Sequence, residues 1–518
     1  MASPVLIGLV DAPDRTRGGD WYYRSYVPGS AMARTPGVYV AYVQNHHRAR
    51  KEVMREADVL VLHAICDADI LPVIAARTKR GQVTIFEIND DFRAVQASNP
   101  VAPFFAQAQN RRLLFRLAQR CGYIQFSVPE LERLYGGLAP HRHVFENQLL
   151  AMPPRRKRSS GGRTVIGWGG SSGHLADMTA TAPALCELLR KRQDVVFRLM
   201  GGHAFARLFN EVPRGQFEHV PADSIEAYHA FVASLDIGIA PLSNDAFNRS
   251  RSDVKFLEYA CHGVVPVVSH LTPYLRSVRH EENGFLVDGP EDLVARLQEL
   301  LDDPARRVAM GEAAFASVAS TRLQGQHVAA RLDWYQQALA AAGHVPRDES
   351  AIARKVAAWG ACEGAEVEGR FAMLHAAELE DHIHDGLVLR AIPGRTPDAT
   401  RLFEYASAAS PGDHLPRLLL GLTTHQLPDL EAAAALEPAS LVSLLALGRA
   451  YAAKGDARAM TCFLGAAELE PGYEAPFAAA AAFLKAAGHA DEAEEFAHHA
   501  LRAIQGLDDP APLHQSAA

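Results

Sequence analysis

A cluster of charged and hydroxyl side chains lies in the middle of the chain, between the apolar runs Ile237–Ala240 and Val264–Ser269. Its members are Arg249, Arg251, Ser252, Lys255 and Glu258. A helix that begins near Ser252 places Lys255 and Glu258, three residues apart, on one face. Free N–H groups at the helix start, together with Lys255, suit an anionic diphosphate. Because the Glu258 carboxylate can accept hydrogen bonds from two adjacent sugar hydroxyls, the pattern predicts a nucleoside-diphosphate site.

The alternative interpretation of Lys255 and Glu258 is an exposed ion pair within one helix, which stabilises a helix by only ~0.3–0.5 kcal/mol. Other phosphate-binding patterns are missing from the sequence. Neither Gly-x-Gly-x-x-Gly with an acid at the ribose distance nor Gly-x4-Gly-Lys-Ser/Thr occurs. A dinucleotide-binding or P-loop protein is therefore disfavoured.

The elements that position this cluster are predicted from the alternation of short β-rich runs with helical stretches. The alternation covers residues 1–152 and restarts over 160–345, with a breaker-rich linker at Pro153–Gly162 between them. We expect two Rossmann-like domains, the second closed by a helix around Val328–Ala342. A cleft between their strand ends is where open α/β sheets bind ligands.

His63 follows the apolar run Val59–Leu62, at the predicted carboxyl end of a strand. We assign it, together with Lys255 and Glu258, to the catalytic residues, as a sugar contact in the cleft. A histidine with its hydrogen bonds satisfied at a strand end is the alternative. Asn89–Asp91 follows another such run, Val83–Ile88. These acids can be interpreted as a metal-binding Asp-x-Asp, but turns and helix caps use such residues more often, so no metal is predicted.

The segment from Asn248 to Ser269 resembles the donor-binding segment of retaining GT-B glycosyltransferases, family four and its relatives. Those enzymes carry two acids separated by seven residues, or the variant Ser-x-x-Lys-x-x-Glu-Tyr. Ser252, Lys255, Glu258 and Tyr259 match the variant in full, whereas Ser250 stands where the first acid falls. The resemblance implies transfer of a sugar from a nucleoside-diphosphate sugar with retention of configuration, and it assigns Glu258 to the ribose hydroxyls.

Two further stretches extend the resemblance over roughly residues 1–340. Ile166–Asp177 resembles the first strand and glycine-rich turn of the donor domain, which implies donor contacts for Gly169, Gly170, Ser171 and His174. In the first domain the resemblance implies acceptor-side roles for a glycine loop and an acidic strand end. Their residues are Gly18, Gly19, Arg24, Asp90 and Asp91.

Residues 346–518 are predicted to form an all-α domain, because strand signals almost vanish and alanine-rich helices take over. Leu436-Glu437-Pro438 recurs as Leu469-Glu470-Pro471, a spacing of 33 residues, which resembles tetratricopeptide repeats. An unrelated helical bundle is the alternative. Stacked helical pairs create a concave surface, so we expect this tail to recruit the acceptor, a protein or a glycan. A cut between Gly343 and Glu349 is predicted to leave the α/β half folded.

Bulk properties exclude several classes of protein. A formal charge of −8 argues against binding to nucleic acid. The six cysteines form no Cys-x-x-Cys pair, so neither a zinc site nor a disulfide framework is predicted. A cytoplasmic location fits best, without signal peptide or membrane span. Peripheral contact with anionic lipid is an open alternative for two basic clusters, Asn110–Arg120 and Arg155–Arg158.

Two rival functions stay open on sequence alone. A nucleotide-sugar epimerase or phosphorylase can share this architecture, because fold does not fix function. A catalytically silent scaffold that only binds a ligand is the other rival, favoured by Ser250 at the position of the first acid. The predicted enzyme needs no cofactor besides its nucleoside-diphosphate sugar donor.

Overall fold

The computed structural model describes residues 3–13, 18–154, 162–505 and 507. The basic cluster Arg155–Arg158 and most of the predicted linker lie outside these residues. Two parallel sheets organise the first two thirds of the chain, and helices dominate the last third. The predicted mixed α/β architecture with a helical C-terminal region is therefore confirmed.

The first sheet has eight strands in the order β13-β14-β2-β1-β3-β4-β5-β6. All neighbouring strands are parallel except β13 and β14, which form an antiparallel hairpin. The strands are Val5–Asp11 (β1), Val38–Gln44 (β2), Val59–His63 (β3), Val83–Ile88 (β4), Tyr123–Phe126 (β5), His141–Val144 (β6), Ala365–Glu368 (β13) and Phe371–Leu374 (β14).

The second sheet has six parallel strands in the order β12-β11-β10-β7-β8-β9. The strands are Thr164–Gly169 (β7), Val195–Met200 (β8), Phe217–Val220 (β9), Ile237–Ala240 (β10), Val265–Ser269 (β11) and Phe285–Val287 (β12). We call the first sheet with its helices the first unit, and the second sheet with its helices the second unit.

Helices cover both sheets. Those of the first unit are Val27–Ala33 (α1), Arg50–Glu56 (α2), Ile70–Lys79 (α3), Ala102–Ala106 (α4), Ala108–Cys121 (α5) and Pro129–Tyr135 (α6), with a π-helical turn at Trp21–Tyr26. The helices that follow the strands of the second sheet in the chain are Leu175–Lys191 (α7), His203–Ala206 (α8), Ile225–Ala233 (α9), Ala246–Arg249 (α10), Val254–Ala260 (α11), Pro290–Asp302 (α12), Pro304–Thr321 (α13) and Gln324–Ala341 (α14). Among the described residues, no helix has both the length and the apolar character needed to cross a bilayer.

The closing helix α14 was expected to belong to the second unit, but its apolar face packs on the first. Leu332, Tyr335 and Leu339 share a core cluster with Ile7 of β1 and Val59 of β3. The Tyr335 hydroxyl also donates to Gln125 Oε1 of β5 at 2.9 Å. The end of the second unit is therefore fastened to the first sheet.

The prediction that residues 346–518 are all-α is wrong for the hairpin β13–β14. Strand β14 pairs with β2 in parallel, Phe371 opposite Val40 and Leu374 opposite Val43. Its side chains are completely buried or nearly so. Helix α15, Glu349–Gly360, covers this end of the sheet with Ile352, Val356 and Trp359. The strand was missed because four apolar residues without alternation do not distinguish a strand from a helix segment.

In the described part of the chain, eight helices follow the hairpin, and we call them the tail. They are Glu378–Arg390 (α16), Thr396–Ala409 (α17), His414–Thr424 (α18), Leu427–Leu436 (α19), Leu441–Ala452 (α20), Arg458–Leu469 (α21), Glu474–Ala486 (α22) and Ala490–Ala503 (α23). Both Leu-Glu-Pro units fall at the end of a helix, α19 and α21. A Cβ on Gly448 of α20 would lie 2.5 Å from Phe463 of α21, so the glycine lets these two helices approach closely.

The tail packs on the first unit. Asp69, at the start of α3, accepts hydrogen bonds from Ser440 Oγ at 2.8 Å and from the Val442 N–H at 3.0 Å. Glu380 accepts a hydrogen bond from Arg48 Nε at 2.8 Å. In the basic helix α5, Arg116 donates to the Ala503 carbonyl and Arg120 pairs with Glu470. Two arginines considered for lipid contact are thus engaged by the tail.

Candidate active site

The two sheets present their strand ends to a shared cleft. In each sheet the chain starts from an inner strand, β1 or β7, and places later strands on both sides of it. Open α/β sheets bind ligands at such reversal points, beyond the carboxyl ends of the strands. Asp11 and His63 end β1 and β3 in the first unit, and Gly169 ends β7 in the second.

Hydrogen bonds join the two units across this cleft. Tyr23 donates to Glu258 Oε1 at 3.3 Å, and Asn147 Nδ2 donates to Ser252 Oγ at 3.0 Å. Gln96 Nε2 donates to Asp245 Oδ2 at 2.7 Å. Each bond runs from the first unit to the loops and helices around β10 and α11. The structure therefore has its cleft in a closed arrangement.

Lys255 and Glu258 lie on one face of α11, as predicted. Lys255 Nζ is 2.9 Å from Glu258 Oε2 and 2.5 Å from the hydroxyl of Tyr228, which itself donates to Glu258 Oε2 at 2.8 Å. Burial, and next the charge of Glu258, raise the pKa of Tyr228 well above 10, so its hydroxyl keeps its proton. The ion pair is buried, with side-chain exposures of 13% and 6%. The exposed-pair alternative is therefore wrong.

Arg251 and His174 form a second polar pair in the cleft. Arg251 Nη1 lies 2.9 Å from His174 Nε2, and His174 Nδ1 lies 3.1 Å from Asp177 Oδ2. Because a guanidinium only donates, Nε2 must accept and Nδ1 must carry the ring proton. Burial is the main cause that lowers the pKa of His174 to about 4, so the ring is neutral. Nε of Arg251 is buried and has no hydrogen-bond partner among the described residues.

The glycine-rich turn follows β7 directly. A Cβ on Gly169 would lie 2.7 Å from the ring of Tyr228, and one on Gly170 would lie 2.6 Å from the ring of Trp168. Only glycine leaves room for these rings. Ser171 is exposed, and its carbonyl accepts the His174 N–H at 3.1 Å in the short 3-10 turn Ser172–His174.

The loop before α11 differs from the prediction in two respects. The helix begins at Val254 rather than near Ser252, and the Asp253 carboxylate at its start is held by Arg322 at 2.6 Å. Arg249 is exposed and donates to Asn244 within its own loop at 2.7 Å. The cations that the structure brings to Glu258 and His174 are therefore Lys255 and Arg251, while Arg249 lies apart.

His63 is almost completely buried and faces Asp11, with Nδ1 and Oδ1 3.5 Å apart. Burial lowers the pKa of His63, but the hydrogen bond and charge of Asp11, helped by the charge of Glu87, outweigh it and raise the pKa to about 9. Nε2 of His63 has no hydrogen-bond partner in the part of the chain that the structure describes. The pair therefore presents a positively charged imidazole at the carboxyl edge of the first sheet.

Arg24 is held rigidly inside the first unit. It pairs with Glu87 of β4 and donates to the Phe145 carbonyl at 2.8 Å and to Asn147 Oδ1 at 2.7 Å. Since Asn147 donates in turn to Ser252, a chain of hydrogen bonds connects β4 to the loop before α11. Arg24 is therefore placed to position the cleft wall.

The two acids after β4 have different environments. The Asp91 carboxylate accepts hydrogen bonds from Tyr135 and from the Arg93 N–H, which ties it to its own unit. Burial, and next the charge of Asp20, raise the pKa of Asp90 to about 7. The predicted glycine loop lies nearby, because Asp20 accepts a hydrogen bond from Asn89 at 3.1 Å. In this loop Gly19 is exposed, and the Gly18 carbonyl accepts the Tyr22 N–H at 3.0 Å.

Sequence reasoning missed Tyr228, Asp11, Asn147 and Asp177 as members of the site. Tyr228 lies on an amphipathic helix that carries no motif, and its contact with Glu258 depends on how α9 packs against α11. Asp11 ends β1, so a polar residue at the carboxyl end of the first strand is a signal that was present in the sequence.

The second unit resembles a known protein family. Residues 167–303 match the family model described as Glycosyl transferases group 1. This stretch is therefore similar to that family, and the resemblance of Asn248–Ser269 to glycosyltransferases is confirmed at that level. No curated protein matches the chain.

Solved structures align with about two thirds of the chain. HepE of Anabaena in complex with UDP-glucose is 13% identical, with a TM-score of 0.48 over 64% of this chain and 99% of its own. Sucrose-phosphate synthase of Thermosynechococcus elongatus is 13% identical, with a TM-score of 0.48 over 65% of this chain and 100% of its own. A glycosyltransferase of Rickettsia africae is 11% identical, with a TM-score of 0.46 over 65% and 99%.

Proposed function

We propose that the protein is a glycosyltransferase that moves a sugar from a nucleoside-diphosphate sugar to a protein or glycan acceptor, with retention of configuration. One observation carries the proposal. Arg251, Lys255 and Glu258 converge on the cleft from a segment that lies within the stretch similar to the glycosyl transferases group 1 family. Lys255 beside Glu258 and Arg251 beside His174 supply two positive charges for a diphosphate and one carboxylate for the hydroxyls of a ribose.

In this proposal Lys255 and Arg251 bind the diphosphate. Arg251 is partly buried, and its buried Nε has no partner among the described residues, which leaves a donor for phosphate oxygen. His174, fixed as the Nδ1–H tautomer, accepts from Arg251 and keeps it in place. As the bond to the sugar breaks, negative charge grows on the departing diphosphate. Fixed positive groups stabilise that charge without a metal ion.

Glu258 binds the ribose hydroxyls in the proposed complex. The carboxylate already accepts hydrogen bonds from Tyr23, Tyr228 and Lys255. Tyr228 and Lys255 both contact Oε2, so they can keep the carboxylate oriented while Oε1 exchanges Tyr23 for the donor. Opening of the cleft is then the event that admits the nucleotide.

The first unit contributes the acceptor side. Asp11 supports the charge of His63, whose Nε2 has no partner among the residues that the structure describes and can donate a hydrogen bond to a sugar hydroxyl. Asp90, Asp91 and the loop at Gly18 and Gly19 frame the same edge of the sheet. The tail, which we interpret as tetratricopeptide-like, packs on this unit and is proposed to select the acceptor.

We place the enzyme in the cytoplasm. All six cysteines are unpaired thiols, four of them buried, which fits a reducing compartment. The proposed reaction requires no further cofactor.

Donor binding is tested with the full chain and a panel of nucleoside diphosphates and nucleotide sugars, by thermal shift. A ligand at ~100 times its dissociation constant stabilises the fold by ~2.7 kcal/mol, which identifies the base and the sugar. Arg251→Ala and Lys255→Ala should each weaken binding ~10- to 150-fold, the effect of a lost charge-assisted hydrogen bond of ~1.5–3 kcal/mol. Glu258→Gln should weaken binding of nucleotides more than binding of inorganic pyrophosphate.

Arg249→Ala is the matched control, because Arg249 lies two residues before Arg251 but is exposed and donates to Asn244. Equal affinities in all four variants would refute the assigned site. If the protein epimerised the donor sugar or cleaved it with phosphate in the absence of any acceptor, its function would be that of an epimerase or a phosphorylase rather than a glycosyltransferase.

A further inference from the structure

Three metal-ligating side chains meet beside the proposed donor site. His229 lies on α9, while Cys261 and His262 follow the end of α11. Their ligand atoms, one from each residue, all lie within 4.8 Å of one another. Cys261 and His262 are buried and His229 is partly buried. Two helices that are separate in sequence therefore contribute to one small cluster.

The distances within the cluster are close to those of a metal site. Nδ1 of His229 and Nε2 of His262 are 3.1 Å apart. Two imidazole nitrogens bound to one tetrahedral zinc ion at ~2.0–2.1 Å stand about 3.4 Å apart. The two rings thus need to separate by only a few tenths of an ångström. A thiolate on the same ion stands about 3.6 Å from each nitrogen. The Cys261 thiol donates to the Glu258 carbonyl at 3.3 Å, so it must turn from that bond toward the imidazoles when the ion binds.

We propose that His229, Cys261 and His262 bind one zinc ion. Two imidazoles and a thiolate form a ligand set of borderline softness. Zinc binds such ligands more strongly than magnesium or calcium does, since those two ions prefer oxygen ligands. The fourth ligand is a water molecule, because His229 is partly open to solvent. On binding, the Cys261 thiol loses its proton to solvent and a zinc–sulfur bond forms, with no change of oxidation state.

The ion ties the two helices that carry the donor-site side chains. Tyr228 immediately precedes His229 on α9, and Glu258 lies three residues before Cys261 on α11. A zinc bridge fixes the relative positions of these helices and thereby the contact of 2.8 Å between Tyr228 and Glu258. The ion acts on the donor site through the packing of α9 against α11, because no hydrogen bond among the described residues joins its three ligands to Lys255 or Arg251.

This inference departs from the absence of a zinc site predicted from cysteine spacing. Spacing rules detect ligands that are close in sequence. Here His229 lies 32 residues before Cys261, and the two meet because α9 packs against α11.

The experiment uses the full chain purified without a histidine tag, loaded with zinc, desalted and analysed for metal by mass spectrometry. We expect about one zinc per chain in the wild type and close to none in Cys261→Ser and His262→Ala. His229→Gln, at a partly exposed position, is the variant least able to disturb the fold, and it should also lose the ion. Cys186→Ser and His270→Ala, which change a thiol and an imidazole elsewhere in the second unit, should retain it.

Cobalt substitution identifies the ligands directly. The Co²⁺-loaded wild type should show a sulfur-to-cobalt charge-transfer band in the near ultraviolet. Cys261→Ser should lose this band and Cys186→Ser should keep it. Absence of bound zinc in the loaded wild type, or equal zinc in wild type and His229→Gln, would overturn the proposal. Because neither measurement involves a sugar donor, the result is independent of the proposed glycosyl transfer.

Discussion

The hydroxyl of Tyr23, in the first unit, lies 3.3 Å from the carboxylate of Glu258, in the second. Tyr23 lies on the π-helical turn Trp21–Tyr26 and is almost fully buried. Burial, and next the charge of Glu258, raise the pKa of Tyr23 well above 10, so the hydroxyl donates a proton to the bond at every physiological pH. Glu258, the residue proposed to bind the ribose, is therefore already hydrogen-bonded to Tyr23 from the opposite side of the cleft.

Replacement of Tyr23 with phenylalanine should strengthen binding of the nucleoside diphosphate, because the donor no longer competes with a tyrosine hydroxyl for Glu258. A hydrogen bond contributes ~0.5–1.5 kcal/mol, which corresponds to ~2- to 13-fold in the dissociation constant. Titration calorimetry on the wild type and Tyr23→Phe measures the difference. Tyr26→Phe is the control, since Tyr26 lies on the same turn and donates to Glu368 at 3.1 Å. Weaker binding by Tyr23→Phe would mean that Tyr23 contacts the donor.

Asp90→Asn should stabilise the protein increasingly as the pH rises. The folded pKa of Asp90, about 7, lies above its ordinary value of 3.8. The folded state therefore binds this proton more tightly, so wild-type stability falls as the pH rises from about 4 to about 7. Asparagine cannot ionise. The free energy of unfolding of Asp90→Asn should therefore gain on that of the wild type by at most about 1.4 kcal/mol per pH unit between about pH 4 and 7, and the difference should then level off. Thermal unfolding between pH 4 and 8 provides the test.

Asp288→Asn serves as the control for that measurement, because the Asp288 side chain is 80% exposed. A constant difference between Asp90→Asn and wild type at all pH values would show that Asp90 ionises alike in the folded and unfolded chains.

Magnesium or manganese ions should change the rate of donor hydrolysis by less than about twofold when added to the desalted enzyme, because Arg251 and Lys255 already supply positive charge at the proposed diphosphate site. The rate is measured by release of the free nucleotide over a range of metal concentrations. A strict requirement for either ion that disappears in Asp90→Ala would instead assign a metal to the acids after β4.

Shortening the chain should separate the roles of the hairpin and the tail. A chain ending at residue 345 lacks α15 and β14, so the apolar edge of β2 loses the burial that Phe371, Met373 and Leu374 provide. Each of these side chains contributes about 1.5–3 kcal/mol when buried. We expect that chain to be insoluble or to unfold well below the full protein, contrary to the prediction from sequence that a cut between Gly343 and Glu349 is harmless.

A chain ending at Ala377 keeps the complete sheet and is the matched comparison. It should have the circular dichroism of a folded α/β protein and bind nucleotide, while transfer to the natural acceptor falls. If the chain ending at 345 were as stable as the one ending at 377, β14 would be dispensable. Full transfer activity by the 377 chain would remove the tail from selection of the acceptor.

The sequence predicted the parts of the site that depend on local geometry. Lys255 and Glu258 are three residues apart, so any helix places them together, and the glycine turn after β7 follows from strand and turn signals. Contacts between distant segments were not predictable. Tyr228 reaches Glu258 only because α9 packs beside α11, and Arg322 pairs with Asp253 across 69 residues of sequence.

The difference between local patterns and contacts of distant segments also explains which strands were predicted. The apolar runs Val59–Leu62, Val83–Ile88 and Ile237–Ala240 were recognised from their composition as β3, β4 and β10. Strands β6 and β9 were missed because charged and histidine side chains interrupt them, and β12 because it has three residues. Strand β14 is the clearest case. Its residues Phe371–Leu374 form a strand because the edge of β2 offers them partners, and nothing in their own pattern indicates that edge.

The pairing of β14 with β2 also sets the order of events during synthesis of the protein. Val43 leaves the ribosome about 330 residues before its partner Leu374, a delay of roughly 15–70 s at the usual rates of translation. Throughout that interval the growing chain carries β2 as an open apolar edge, the kind of surface on which nascent chains associate with one another. Only the emergence of β14 closes that edge, so the last third of the chain completes the sheet that the first residues begin.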